Sequence, residues 1–88
     1  MGKQQLDIHA LRREAHALKP VVRVGGKGLT DAVHAEVDMA LTAHELIKVK
    51  LVADKDERDA MIAELVDRAA ATLVGTVGQI VILYRLAA

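Results

Sequence analysis

Residues 19–33 read KPVVRVGGKGLTDAV, and three kinds of backbone follow one another along them. Pro20 closes any helix that precedes it, because the residue before a proline avoids the α region. Val21, Val22 and Val24 make a short strand of β-branched side chains. Gly25-Gly26-Lys27-Gly28 then breaks it. Leu29, Val33, Val37, Ala40 and Leu41 recur at a period near 3.6, which predicts a helix over about residues 30–43. A strand that passes through glycines straight into a helix opens a strand–helix–strand unit, the building block of α/β domains.

The flanking sequence extends this pattern. Upstream, Ile8, Leu11, Ala15 and Leu18 fall at helical spacing and predict a first helix over residues 5–17. Downstream, residues 45–52 alternate: Ile47, Val49 and Leu51 point one way, Lys48 and Lys50 the other. That is a half-buried strand with a basic outer face. Asp54 followed by Glu57 resembles a capping box, with Asp in place of the usual Ser or Thr. It opens a third helix with the apolar stripe Met61, Ile62, Leu65, Val66 and Ala69. Residues 73–77 form a strand, Gly78-Gln79 a turn, and residues 80–84 an unbroken apolar strand of the fully buried kind. The short link makes the last two strands a hairpin. The order α-β-α-β-α-β-β predicts a two-layer α/β domain, a four-stranded mixed sheet with helices packed on it. Right-handed crossovers should make the strands of each strand–helix–strand unit parallel neighbours.

At 88 residues the chain is one domain, spanning 1–88, and its 52% apolar and 27% charged residues are a globular composition rather than a disordered one. Cys, Ser, Asn, Trp and Phe are absent. The two commonest side-chain nucleophiles are therefore missing, as are disulfides and thiolate metal sites. His9 and His16 lie on one helix, His34 and His44 on or just after another, with neither HExxH nor an i,i+4 pair, so no metal site is predicted. His16 and His44 read as hydrogen-bonded structural residues. Thr30, Thr42, Thr72 and Thr76 have no activating base marked beside them, and paired acids such as Asp56 and Asp59 sit on a charged helix face. A hydrolase or transferase is disfavoured, and no cofactor or small-molecule substrate is implied. No apolar run approaches the ~18–20 residues that span a bilayer. MGKQQLDIHA lacks the apolar region of a secretory signal, and Leu6 stands where a myristoylation signal has Ser or Thr. The expectation is a cytoplasmic protein with no membrane partner.

Twelve Lys and Arg balance twelve Asp and Glu, but the charges are segregated. Residues 1–30 carry Lys3, Arg12, Arg13, Lys19, Arg23 and Lys27 against Asp7 and Glu14. Residues 31–47 carry Asp31, Glu36, Asp38 and Glu45 and no Lys or Arg. Such a chain can show a basic face to a polyanion while neutral overall. The Gly25–Gly28 turn suits an anion. Its glycines permit close backbone approach, the following helix start offers free N–H groups and a positive dipole end, and Lys27 adds a formal charge. The spacing is neither a P-loop nor the GxGxxG fingerprint. It does fit GxxG, which clamps a nucleic-acid backbone in KH domains. A plain strand–helix turn is the alternative, and Asp31 in the first helical turn opposes a phosphate. Lys19 and Arg23 flank the first strand, Lys48 and Lys50 project from the second, and Arg12 and Arg13 lie on the first helix away from its stripe. If the first two strands are close, these cations form one patch beside the turn, where neutralised phosphates would release counterions. Tyr84 is the single aromatic residue and reads as a core residue at a strand end. Without an aromatic platform, RNA binding would be to backbone and shape.

These residues also match a known family. LRREAHALKPVVRVGGKGLTDAVHAEVDMALTAHELIKVKL, residues 11–51, and VGQIVILYR, residues 77–85, resemble the CRM domain, the chloroplast splicing and ribosome maturation domain. The likeness is greatest to its bacterial stand-alone, YhbY-type members. AHxLKPxVxVG, GLT, HELIKVK and LYR occur in the family's order and spacing. The resemblance implies a fold similar to the C-terminal domain of translation initiation factor 3. It further implies RNA binding, with large-subunit ribosomal RNA or the pre-50S particle as partner, and no enzymatic activity. It maps the family's GxxG loop onto Gly25, Gly26, Lys27 and Gly28, and its basic surface onto Lys19, Lys48, Lys50 and Arg85. Gln79 departs from the Lys or Arg that many members carry after the hairpin glycine. The competing reading is a ribosome-associated protein-interaction module that docks through the acidic second and third helices.

Overall fold

The computed structural model describes residues 7–87. They form, in order, α1 (Ile8–His16), β1 (Pro20–Val24), α2 (Asp31–His44), β2 (Leu46–Leu51), α3 (Lys55–Ala69), β3 (Thr72–Val77) and β4 (Ile80–Tyr84). The start of the predicted first helix, residues 5 and 6, and the N-terminal signal positions before Asp7 lie outside the described residues.

Each helix begins on a side-chain cap. Asp7 accepts from the Ala10 amide, Thr30 from Val33 and Asp54 from Glu57, at 3.1, 3.2 and 2.9 Å. These bonds satisfy donors that helix starts leave open. α1 stops at His16, and Pro20 opens β1, an edge position where its missing N–H costs the ladder nothing. Two helix ends turn through left-handed backbone without glycine, at Glu45 (φ 64°) and Ala70 (φ 52°). The β3–β4 hairpin places Gly78, at φ 58°, in the first central position of its turn, as II′ turns require.

The strand order is β1-β2-β4-β3. β1 and β2 are parallel, and β4 is antiparallel to both β2 and β3. The parallel-neighbour expectation therefore holds for the first unit only. β2 and β3 run in the same direction, but β4 inserts between them. The most apolar strand thereby takes a central place, paired on both edges, while β3 with its glycine and threonines takes the rim.

The two faces of the sheet carry unequal covers. On one, α2 and α3 bury Val37, Leu41, Leu65 and Ala69 against Val22, Val24, Ile47, Val49, Leu51, Val81 and Leu83. The two-layer description covers this principal core. On the other, α1 lays Ala15, with Ile8 and Leu11, over Leu46, Val74, Ile82 and Tyr84. Tyr84 is half-buried there, as a strand-end core residue. α1 shields part of its face, and the remainder, with Lys50 and Ile80, stays open.

Leu83→Ala should lower unfolding stability by about 2–5 kcal/mol, since it empties a fully buried site in the principal core. Ala70→Gly should raise it by about 1 kcal/mol by relieving the left-handed helix end. Urea titration followed by circular dichroism measures both.

Candidate nucleic-acid interface

The glycine turn leaves β1 one residue beyond Arg23. The Gly28 amide closes it on the Gly25 carbonyl at 3.0 Å. Gly28 has φ 72° and needs to be glycine for that reason. Gly25 and Gly26 do not have positive φ, and a Cβ on either would meet nothing within 4 Å. Nothing inside the fold demands glycine at these two positions. Among the described residues the Gly26 and Lys27 amides donate to no protein acceptor. Thr30 takes one donor of the α2 start, that of Val33, which leaves fewer free N–H groups than the sequence suggested.

Strand register gathers the cations. Val22 and Val24 are buried under α2 and α3, so Arg23 between them faces the α1 side, opposite Lys50. Lys48 and Lys50 share that face, because Ile47, Val49 and Leu51 occupy the other. Lys48 donates from Nζ to the Leu18 carbonyl at 3.0 Å. Arg12 is exposed and donates from Nε to the Val74 carbonyl of β3 at 3.1 Å. Lys19, Arg13 and Lys27 are exposed. Lys19 precedes Pro20, the register partner of Lys48.

Arg85 does not join this group. Its guanidinium bonds Asp38 Oδ1, the Ala69 carbonyl, the Asp38 carbonyl and Thr42 Oγ1, at 2.8, 2.8, 3.0 and 3.0 Å. It ties the end of β4 to α2 and α3 on the opposite face, and its charge is matched by Asp38. The placement of Arg85 on a basic surface, which came from the family resemblance, is corrected accordingly: it is a structural clasp.

The histidines also sort differently from expectation. His16 and His44 are exposed and, among the described residues, make no side-chain hydrogen bond. The structural histidine is His34, whose Nε2 lies 2.7 Å from Glu64 Oε2 between α2 and α3. Helical spacing alone carried no signal for it, since its partner is thirty positions away in sequence.

The charge pattern becomes two surfaces. Within the described residues Arg12, Arg13, Lys19, Arg23, Lys27, Lys48 and Lys50 have no carboxylate within 4.0 Å, while Lys55, Arg68 and Arg85 on the α2–α3 side are paired with Asp59, Asp31 and Glu64, and Asp38. Among the described residues, no group of three His, Asp or Glu side chains is placed to hold a metal ion.

The site is thus an open sheet face of an α/β module, with uncompensated cations and a glycine turn at its rim. The chain belongs to the CRS1 / YhbY (CRM) domain family, whose model matches residues 4–85. It is 47% identical over 76 residues to an RNA-binding protein of Haemophilus influenzae, covering 85% of this chain and 77% of that one. It is 38% identical over 85 residues to a probable RNA-binding protein of Bacillus subtilis, covering 96% and 85%. A Staphylococcus aureus protein, described with its solution structure as a candidate RNA-binding protein, superposes with a TM-score of 0.82 at 26% identity, over 92% of this chain and 85% of that one.

Replacing Arg85 with Met should cost about 1–3 kcal/mol of stability, because charge-assisted bonds to two carbonyls and Asp38 are lost together. A thermal melt should show the drop, and binding of a polyanion by the folded variant should be unaltered.

Proposed function

We propose that this chain is an RNA-binding module that grips ribose-phosphate backbone with the Gly25–Gly28 turn and the basic face of the sheet. The observation that carries the reading is the set of cations on the α1 side with no carboxylate partner. Arg85 and Arg68 on the α2–α3 side have carboxylate partners, whereas these cations do not. The turn supports the same reading, with free amides at Gly26 and Lys27 and open space above them. The RNA-binding character of the relatives agrees with it.

The protein acts without enzymatic chemistry, in the cytoplasm, on large-subunit ribosomal RNA or the pre-50S particle. This target rests on the family's motif set. In-cell crosslinking followed by sequencing of the attached RNA should return large-subunit rRNA well above its background. An even spread over cellular RNA would leave only a general RNA binder.

Two predictions test the grip. Gly26→Asp with Lys27→Asp should abolish binding to structured ribosomal RNA and keep a native circular dichroism spectrum, because Gly26 has room for a side chain. Affinity should also fall steeply with salt, log K against log[salt] having a slope of about −0.7 to −0.9 per neutralised phosphate. A flat salt response, together with indifference to charge reversal at Lys27, Lys48 and Lys50, would favour docking through the acidic α2–α3 surface on a protein partner.

A further inference from the structure

Between α1 and strands β2, β4 and β3 lies a groove of about 450 Å³. α1 contributes Arg12 and His16 to its wall, and the sheet contributes Lys48, Ile82, Gly75 and Val77. Lys48, Ile82 and Gly75 are register partners across β2, β4 and β3. The two ends of that row are therefore roughly 10 Å apart, two inter-strand spacings.

Both cations of the groove are held by backbone carbonyls, Lys48 by Leu18 and Arg12 by Val74. A carbonyl fixes the side chain without cancelling its charge, so each site stays ready for an anion. Gly75 makes the Arg12 arrangement possible. A Cβ there would sit 3.1 Å from Nε, 3.5 Å from Nη2 and 3.6 Å from Cζ of Arg12. Glycine in a strand weakens it and marks a close approach, and here the approaching group is the guanidinium. Nε donates to the Val74 carbonyl, and among the described residues the two Nη atoms make no hydrogen bond.

We infer that this groove receives one unpaired nucleotide of a single-stranded RNA, with its phosphate between Arg12 and Lys48 and its ribose and base on Gly75, Val77 and Ile82. The inference rests on the RNA-binding reading and adds a preference to it. The chemistry of the lining selects the ligand: two uncompensated cations call for a phosphate, and an apolar floor calls for the less polar part of the same unit. A guanidinium plane stacks on bases where aromatic side chains are lacking, which removes the bar to base contact that the aromatic content suggested. A duplex keeps its bases stacked inside and offers the groove phosphates alone. The open face beyond the groove carries Lys50 and Arg23 and ends at the Gly25–Gly28 turn, so one strand can run from groove to turn over cations throughout.

The test compares a short uridine oligomer with a blunt RNA duplex, by fluorescence anisotropy, on the intact protein. The wild type should prefer the single strand by about tenfold, the scale of one base contact. Arg12→Met, which removes the guanidinium and leaves Gly75 intact, should collapse that preference, and Gly75→Ala, which crowds Arg12 Nε, should weaken it. Circular dichroism checks that both variants are folded, and agreement between them separates loss of the groove from a local fault in β3. A 2-aminopurine placed in the oligomer should change its emission on binding to the wild type and less so with either variant. Equal affinity of the wild type for strand and duplex overturns the groove assignment. So does an unchanged preference in both variants while the Gly26/Lys27 double variant loses all binding. A wild type that binds neither RNA defeats the RNA-binding reading itself.

Discussion

Strand β4 is apolar on both faces and has a hydrogen-bonded neighbour on each edge, and the rest of the molecule is arranged around that demand. Val81 and Leu83 must be covered on one side and Ile82 and Tyr84 on the other. α2 and α3 meet the first need and α1 meets the second. Burial at about 25 cal/mol per Å² of apolar surface makes this double cover the main source of stability in so small a domain. It also makes the sheet a partition. Whatever charge a helix or strand carries is delivered to one side or the other.

The partition turns a neutral chain into a two-faced one. Asp31, Asp38 and Glu64 of α2 and α3 meet Arg68, Arg85 and His34 on their own side. The cations of α1, β1 and β2 emerge opposite, separated from those carboxylates by the thickness of the core. Leaving them unpaired costs little in solvent, because surface ion pairs stabilise weakly in any case. The same arrangement concentrates positive potential over one face.

Glycines serve two different ends on that face. Gly28 answers to the backbone, which needs positive φ to turn from β1 toward α2. Gly75 answers to close approach and leaves room for Arg12, while Gly25 and Gly26 have open space where a Cβ would stand. A reading that treats all glycines as turn-formers therefore merges features that act separately.

Periodicity along the chain was enough to place the described helices and strands to within a residue or two, except at the start of α1, expected at residue 5 and found at Ile8, because burial on one face imposes the 3.6 and 2.0 repeats locally. It also showed the two lysines of β2 facing away from Ile47, Val49 and Leu51, and Asp54 with Glu57 marked the cap of α3. The resemblance carried by AHxLKPxVxVG, GLT, HELIKVK and LYR supplied the family. Three matters were settled only by tertiary structure. β4 pairs with β2 because sheet order depends on which strand buries most, a comparison between distant segments. Arg85 joins the acidic helices, and His34 rather than His16 or His44 is the bonded histidine. In both, the partner lies thirty or more positions away, beyond the reach of any local pattern. The groove between α1 and β3 belongs with these, since Arg12 and Gly75 meet only after the chain has closed on itself.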